Sequence, residues 1–246
     1  MTLFSSIPGI LQQQGASAPS SLPASLSFDG TNHLISSVGL PSRTLRELTV
    51  TAWVNFAGAT SRQGVVSFSD TSPLSDRIFF SESHPAVTFS VIGQFGDDAG
   101  TVQNWGALTP GSASLYGVWN FLAVRINSAG LGQYRYNAGT WTNFASFPNP
   151  YSVFNIVGSP EFRVGSSFSG TNIASAGTKI FQPTVSFRGL SDGDVDTIYS
   201  KDLSPADYSW DTTDAFDGTT LVCSDPTYNL TATGTGITAD TGDVPA

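Results

Sequence analysis

Short stretches of alternating apolar and polar residues, separated by glycine-rich turns, recur along the chain from residue 26 onwards. A period of two is typical of a β-strand that buries one face. In LTVTAWVNF (48–56), Leu48, Val50 and Val54 share one face, and Trp53 lies on the other. A helical period of 3.6 does not emerge before Ser191. Roughly a dozen short strands of this kind predict an all-β fold, either a two-sheet sandwich or a barrel.

The charge balance limits the classes of partner. The chain of 246 residues has 10 Lys and Arg against 19 Asp and Glu, a formal net charge of −9. A nucleic-acid-binding surface needs clustered basic side chains to displace counterions, so we expect no nucleic acid partner. No apolar run approaches the roughly 18 residues of a membrane helix, so no membrane insertion is predicted. Cys223 is the only cysteine, which excludes an intrachain disulfide.

The first residues differ in composition from the rest of the chain. Residues 1–24 are rich in Gln, Ser, Ala and Pro, and they are predicted to form an extended anchor or linker. The triplet 16–18 (ASA) is similar to a signal-peptidase site, but no basic residue precedes Arg43, and a secretory signal needs a positively charged start. Residues 25–246 are predicted to form one domain, which includes the acidic C-terminal stretch.

Several motifs follow one another in an order that resembles a known family. They are LSFDGTNHL (26–34), LTVTAWVNF (48–56), GVVSFSD (64–70), GVWNFLAVRIN (117–127), FRVGSS (162–167), VSFRGLSDGDVDTIYS (185–200) and YNLTATGT (228–235). This order resembles the laminin-G-like, or concanavalin A-like lectin and glucanase, jelly-roll family over about residues 25–236. The resemblance implies an antiparallel β-sandwich of two sheets with one short helix near 191–200. One sheet is often concave and able to hold a ligand, usually a carbohydrate.

Three aspartates at alternate positions, Asp192, Asp194 and Asp196, admit three interpretations. Ser191 followed by Asp194 resembles a capping box, with acidic residues in the first turn of a helix. A calcium loop would need an acid at its twelfth position, which is Leu203 here. Glucanases that the chain resembles carry Glu-x-Asp-x-Glu on a strand, and this stretch has no Glu. We expect a capped helix; calcium and catalysis are the alternatives, and no other cofactor is predicted.

The candidate ligand-binding residues lie mainly in the loop GQFGDDAGTVQNWG (93–106). This loop combines Asp97, Asp98 and Asn104 with Trp105, and functional residues are often carried by such loops. An aromatic ring can stack on a sugar while short polar side chains bind its hydroxyl groups. Trp53 is a second candidate platform. The alternative is that this loop covers the edge of a sheet.

The two histidines do not indicate a catalytic site. A Ser-His-Asp triad needs a histidine beside a nucleophile elbow such as Gly-x-Ser-x-Gly, which the chain lacks. We therefore expect His33 and His84 to be surface or turn residues. Trp119 and Trp141 are expected to fill the core, although either could serve as a platform for a sugar.

These observations favour a protein that is not an enzyme. The first hypothesis is a structural and adhesion protein on the surface of a virion, a head decoration or a fibre, because the chain resembles laminin-G-like domains of tailed-phage particles. Such proteins fold in the reducing cytoplasm and need no disulfide. Residues 1–24 would hold other virion proteins, the domain would contact a cell-surface glycan, and we expect a homo-oligomer. The alternatives are an extracellular carbohydrate-binding module and a glycoside hydrolase.

Overall fold

The computed structural model describes residues 24–36, 43–45, 47–58, 63–69, 77–82, 94–96, 102–104, 116–143, 154–156, 161–166, 172–210, 212 and 216–246. The strands are Ala24–Ser27 (β1), Leu34–Ser36 (β2), Arg43–Leu45 (β3), Leu48–Asn55 (β4), Gln63–Ser69 (β5), Arg77–Glu82 (β6), Gln94–Gly96 (β7), Val102–Asn104 (β8), Trp119–Ile126 (β9), Gly132–Tyr136 (β10), Thr142–Asn143 (β11), Phe154–Ile156 (β12), Glu161–Val164 (β13), Lys179–Ser186 (β14), Tyr208–Ser209 (β15), Thr220–Leu221 (β16), Leu230–Ala232 (β17) and Thr238–Thr241 (β18). One α-helix, Asp192–Tyr199 (α1), and a 3-10 helix, Pro226–Tyr228, complete the described elements.

Within these ranges the strands form two larger antiparallel sheets. The eight-stranded sheet has the order β11-β10-β9-β4-β14-β1-β18, with β15 paired to β14. The six-stranded sheet has the order β16-β17-β2-β13-β5-β6. Two short ribbons, β12-β3 and β7-β8, accompany them. The predicted all-β sandwich with one short helix is therefore confirmed.

The main core lies between the two sheets. The apolar face predicted for β4, with Leu48, Val50 and Val54, belongs to one buried cluster with Phe162 and Val164 of β13. The ring of Phe162 is also stacked on Trp210, with ring centroids 4.2 Å apart. Burial of these apolar side chains is the main stabilising contribution to such a sandwich.

A second buried cluster covers the outer face of the eight-stranded sheet. Helix α1 supplies Val195 and Ile198, and the sheet supplies Trp53, Phe121 and Phe181. Both faces of β4 are therefore buried, because the helix packs over the face that carries Trp53. The alternation in the sequence identified the two faces correctly but did not show that this second face is covered.

The turn after β1 is held by one carboxylate. Asp29 accepts four hydrogen bonds, from the backbone and side chains of Thr31 and Asn32, at 2.7 to 2.9 Å. A Cβ on Gly236 would overlap the Asp29 side chain, and one on Gly234 would overlap Asn32. Glycine at these two positions therefore lets the segment before β18 approach the turn closely.

The N-terminal segment is described only from strand β1 onwards, whereas the C-terminal stretch is described to its last residue. Strand β1 begins at Ala24, so most of the predicted anchor, residues 1–23, lies outside the described residues. Strands β16, β17 and β18 of the acidic C-terminal stretch pair within the two sheets. No helix among the described residues is both long enough and apolar enough to span a membrane.

Candidate ligand-binding cleft

Two neighbouring strands bring a pair of arginines to the outer face of the eight-stranded sheet. Arg125 of β9 lies opposite Gln133 of β10, and Arg135 lies opposite Ala123. The two arginines are therefore diagonal cross-strand neighbours, a relationship that places Cα atoms roughly 7–8 Å apart. Both side chains are largely buried, with 11% and 6% of their surface exposed.

The hairpin between β10 and β11 forms one wall of the site. Asn137 adopts a left-handed backbone conformation (φ 49°) that this residue type tolerates, and its side-chain oxygen accepts a hydrogen bond from the Phe121 N–H at 2.7 Å. The chain then turns through Gly139 and enters β11, which places Trp141 beside Arg125. The guanidinium carbon of Arg125 lies 3.9 Å from the centroid of the indole ring, which is a cation–π contact.

Helix α1 forms the opposite wall, and its start shows what the three aspartates do. The Ser191 side chain accepts from the Asp194 N–H at 3.1 Å, and the Asp194 carboxylate accepts from the Ser191 N–H at 3.1 Å. This capping box confirms the predicted helix. Hydrogen bonds from Ser191 hold the pKa of Asp194 below its usual value. Asp192 and Asp196, one helical turn apart, are left to face the sheet.

Each of these two aspartates pairs with one arginine. Asp192 lies 2.8 Å from Arg125 Nη1, and Asp196 lies 2.5 Å from Arg135 Nη2. The helical spacing of four residues thus matches the diagonal spacing of the arginines on the sheet. The carboxylate side chains remain 69% and 60% exposed, whereas the guanidinium groups are buried against the sheet.

An open cleft of about 470 Å³ lies between these walls. Its volume falls within the range of about 300–1,000 Å³ that is usual for small-molecule sites. The indole N–H of Trp141 is buried and has no hydrogen-bond acceptor among the residues that the structure describes, which is uncommon in folded proteins. The cleft is lined by Arg125, Gln133, Arg135, Ala138, Gly139, Thr140, Trp141, Asp192 and Asp196.

Of the residues predicted from the sequence as ligand-binding, Trp53 is the one whose side chain the structure describes, and it is not among the residues that line this cleft. Trp53 is only 6% exposed, and Tyr199 of α1 is stacked on it at 5.0 Å. The interpretation of Trp53 as an open platform is corrected, since the helix covers its ring. Asn104 ends strand β8, and its side chain lies outside the described residues. Asp97, Asp98 and Trp105 also lie outside them, so the loop site stays a prediction.

One histidine differs from its predicted position. His33 is buried rather than on the surface, with 9% exposed, and its Nε2 lies 2.8 Å from Arg163 Nη1. Burial and the charge of Arg163 lower the pKa of His33, so the neutral ring is favoured. Because arginine only donates, Nε2 must be the acceptor. His84 lies outside the described residues.

The cleft residues are less evident in the sequence than the strands are. Arg125 ends the face of β9 that also carries Phe121 and Ala123, and Gln133 and Arg135 alternate along β10. A charge at the end of an apolar face indicates where burial gives way to a polar site. Among the described residues, no group of three His, Cys, Asp or Glu side chains comes together as a metal site would require.

No family model matches the chain. No curated protein matches it in sequence. Solved structures do match. A native heptameric SAP-like pentraxin from Limulus polyphemus is 14% identical, with 92% of this chain and 98% of that chain covered and a TM-score of 0.59.

Two longer proteins contain a similar fold. A protein from Bacteroides ovatus, proposed to bind carbohydrate, is 12% identical, with 92% of this chain and 61% of that chain covered and a TM-score of 0.60. The extracellular region of zebrafish Gpr126/Adgrg6 is 12% identical, with 91% and 27% covered and a TM-score of 0.56. The chain thus spans less than two thirds of either. At these identities the likeness is one of fold, and this fold is the concanavalin A-like sandwich that the order of the motifs predicted.

Proposed function

We propose that this chain is a non-enzymatic saccharide-binding domain, and that the cleft between the β10–β11 hairpin and α1 is its binding site. The observation that carries the proposal is the convergence of an indole ring, two guanidinium groups, an amide and a hydroxyl group on one open depression. The likeness to a Bacteroides ovatus protein proposed to bind carbohydrate supports it through the fold.

The chemistry of the cleft suits a sugar ring better than an apolar ligand. Hydroxyl groups of a saccharide both donate and accept, and the cleft has donors on its sheet side and carboxylate acceptors on its helix side. Arg125 covers one face of the Trp141 ring, and the half-buried indole contributes apolar surface to the wall. A mainly polar site with one aromatic wall is a common way to orient such a ligand.

The carboxylates of the cleft have environments that do not suit glycoside hydrolysis. A catalytic acid has to stay protonated near neutral pH, which requires an apolar or negatively charged environment. Asp192 and Asp196 instead each face an arginine and are mostly exposed to solvent. Asp194 accepts hydrogen bonds as a helix cap, which lowers its pKa. We therefore propose a role in binding for this site, without turnover.

We further propose that the domain is displayed on the surface of a virion. The alternative is an extracellular carbohydrate-binding module. What supports the virion location is Cys223, which is buried and free, so the domain is built without a disulfide. A domain without a disulfide is able to fold in a reducing compartment, from which lysis would release it. If particles carry the chain in fixed stoichiometry after gradient purification, the virion proposal stands; recovery in the medium without particles would support the extracellular alternative.

A glycan microarray tests the proposed function. The labelled wild-type chain is expected to bind a defined set of glycans, and Trp141→Ala and Ala138→Trp are expected to lose them. The second variant fills the cleft from an exposed position, so it leaves the core intact. Tyr116→Ala, which removes an exposed aromatic ring outside the cleft, is the control and should bind as the wild type does.

The same array distinguishes the cleft from the loop at 93–106. If Trp105→Ala abolishes binding while both cleft variants bind normally, the ligand site lies in the loop and the assignment to the cleft is wrong. If the folded wild-type chain binds no glycan, the proposed function itself is contradicted.

A further inference from the structure

The hydrogen bonds of the cleft indicate which class of saccharide it selects, an inference that rests on the proposed function. Arg125 uses Nε to donate to Gln133 at 2.9 Å and Nη1 to donate to the Leu190 carbonyl at 2.7 Å. Nη1 also faces Asp192. Its Nη2 donates to none of the described residues, although a guanidinium group has five N–H donors.

Arg135 on the neighbouring strand β10 has a similar set of hydrogen bonds. Its Nε donates to the Asn137 carbonyl at 3.1 Å, and its Nη2 faces Asp196. Its Nη1 donates to none of the described residues. The groups on the sheet side of the cleft that lack a partner among the described residues are therefore mainly donors, and two of them belong to positively charged side chains.

The partners that these arginines have now are held weakly. Asp192 and Asp196 are mostly exposed and project from the first turns of a short helix. Each pair is open to solvent on its carboxylate side, where water competes for the charge and weakens the pairing. The arginines, in contrast, are fixed by backbone carbonyl groups and by the Trp141 ring. An incoming carboxylate can thus replace an aspartate while the guanidinium groups keep their positions.

We propose that the cleft recognises a saccharide that carries a carboxylate, as uronic acids do. The carboxylate takes the place of Asp192 or Asp196 and accepts hydrogen bonds from the Nη groups of Arg125 or Arg135, and the sugar ring lies between the hairpin and α1. A planar carboxylate matches the planar fork of a guanidinium group, which favours it over other anions. Asp192 and Asp196 occupy the arginines in the free protein and compete with this ligand.

Calorimetric titration with paired oligosaccharides tests the proposal. The probes are tetramers of glucuronate and galacturonate and the same tetramers with their carboxyl groups reduced to alcohols. At least one acidic tetramer is expected to bind about tenfold more tightly than its neutral counterpart, because a charge-assisted hydrogen bond is lost on reduction. The preference should weaken as salt is raised, since mobile ions screen the pairing.

Two variants separate recognition from structure. Asp192→Asn with Asp196→Asn removes the competing carboxylates at exposed positions and is expected to tighten the binding of the acidic tetramer several-fold. Arg135→Gln removes one of the two cations and is expected to weaken binding of the acidic probe more than binding of the neutral probe, which reduces the preference between them. Melting curves verify that both variants fold. If Arg135→Gln does not fold, the double variant at the exposed positions Asp192 and Asp196 still tests the proposal.

The results distinguish the proposed ligand class from the proposed function. If the neutral tetramers bind as tightly as the acidic ones, the ligand class is wrong and the proposed saccharide site stands. If sulfated tetramers or a tetraglutamate peptide bind as tightly as the uronates, the inference is overturned, because charge alone would then explain binding. If no saccharide of either class binds, both this inference and the proposed function are contradicted.

Discussion

The guanidinium group of Arg125 lies on the ring of Trp141, 3.9 Å from its centroid, and joins strand β9 to the hairpin that follows it. The same group donates to the Gln133 side chain and the Leu190 carbonyl. One buried arginine therefore connects the sheet, the hairpin and the segment that leads into α1. Arg125 thus contacts both walls of the cleft.

Replacement of this arginine by lysine should show how much the planar guanidinium group contributes to the stability of the domain. Arg125→Lys keeps the charge but loses the planar stack and at least one hydrogen bond. We expect the free energy of unfolding in urea to fall by about 1–3 kcal/mol, because a bond to a charged group is lost in a buried setting. Arg188→Lys is the control, since Arg188 is 51% exposed. Equal effects at both positions would contradict the structural role of Arg125.

The capping box provides a test of the role of the aspartates. Ser191→Ala removes the side-chain acceptor for the Asp194 N–H, and loss of such a cap costs about 0.5–2 kcal/mol. We expect Asp194→Asn to lower the melting temperature as well, since the carboxylate accepts from Ser191. Neither variant should alter release of reducing sugar from β-glucans, which is expected to stay at background. Turnover by the wild type that disappears in Asp194→Asn would show that this residue is catalytic.

Two glycines should respond in opposite ways to the same substitution. Gly236→Ala places a Cβ on the Asp29 carboxylate, and the displaced turn is expected to lower stability by about 1–3 kcal/mol. Gly193→Ala lies on α1, where the nearest atom is 3.9 Å from the added Cβ. We expect it to raise stability by about 0.5–1 kcal/mol, because alanine favours helix. A neutral Gly236→Ala in urea unfolding would contradict the close approach.

The stability of the domain should depend on pH through Asp29. Burial would raise the pKa of Asp29, but hydrogen bonds from Thr31 and Asn32 outweigh this effect and hold it well below the usual value. The stabilisation is therefore present above the unfolded-chain pKa of about 3.9 and is lost as the pH falls towards the folded-state pKa. Asp29→Asn should melt below the wild type at pH 7, with the difference narrowing at pH 3 and below. A difference in melting temperature that is constant across this range would show that the charge of Asp29 does not stabilise the turn.

The sequence predicted the strands better than it predicted the site. Alternation along β4 separated its two faces correctly, and Ser191 with Asp194 predicted the start of α1 from local chemistry alone. The burial of Trp53 was missed because it depends on a helix that begins 139 residues later in the chain.

The cleft was missed for a related reason. The proximity of Arg125 and Arg135 follows from the register between β9 and β10, and their pairing with α1 follows from how the helix packs on the sheet. Neither can be deduced from the period of a single strand. The position of Arg125 at the end of an apolar face was the sequence feature that indicated a polar site.

Nuclear magnetic resonance of the five tryptophan indole N–H groups tests whether the saccharide binds in the cleft. The resonances are assigned with single Trp→Phe variants, and the chain is titrated with a saccharide that binds on the array. Binding in the cleft predicts a saturable shift of the Trp141 indole signal, while the signals of the buried Trp53 and Trp210 stay in place. A saturable shift of the Trp105 signal with Trp141 unmoved would contradict it.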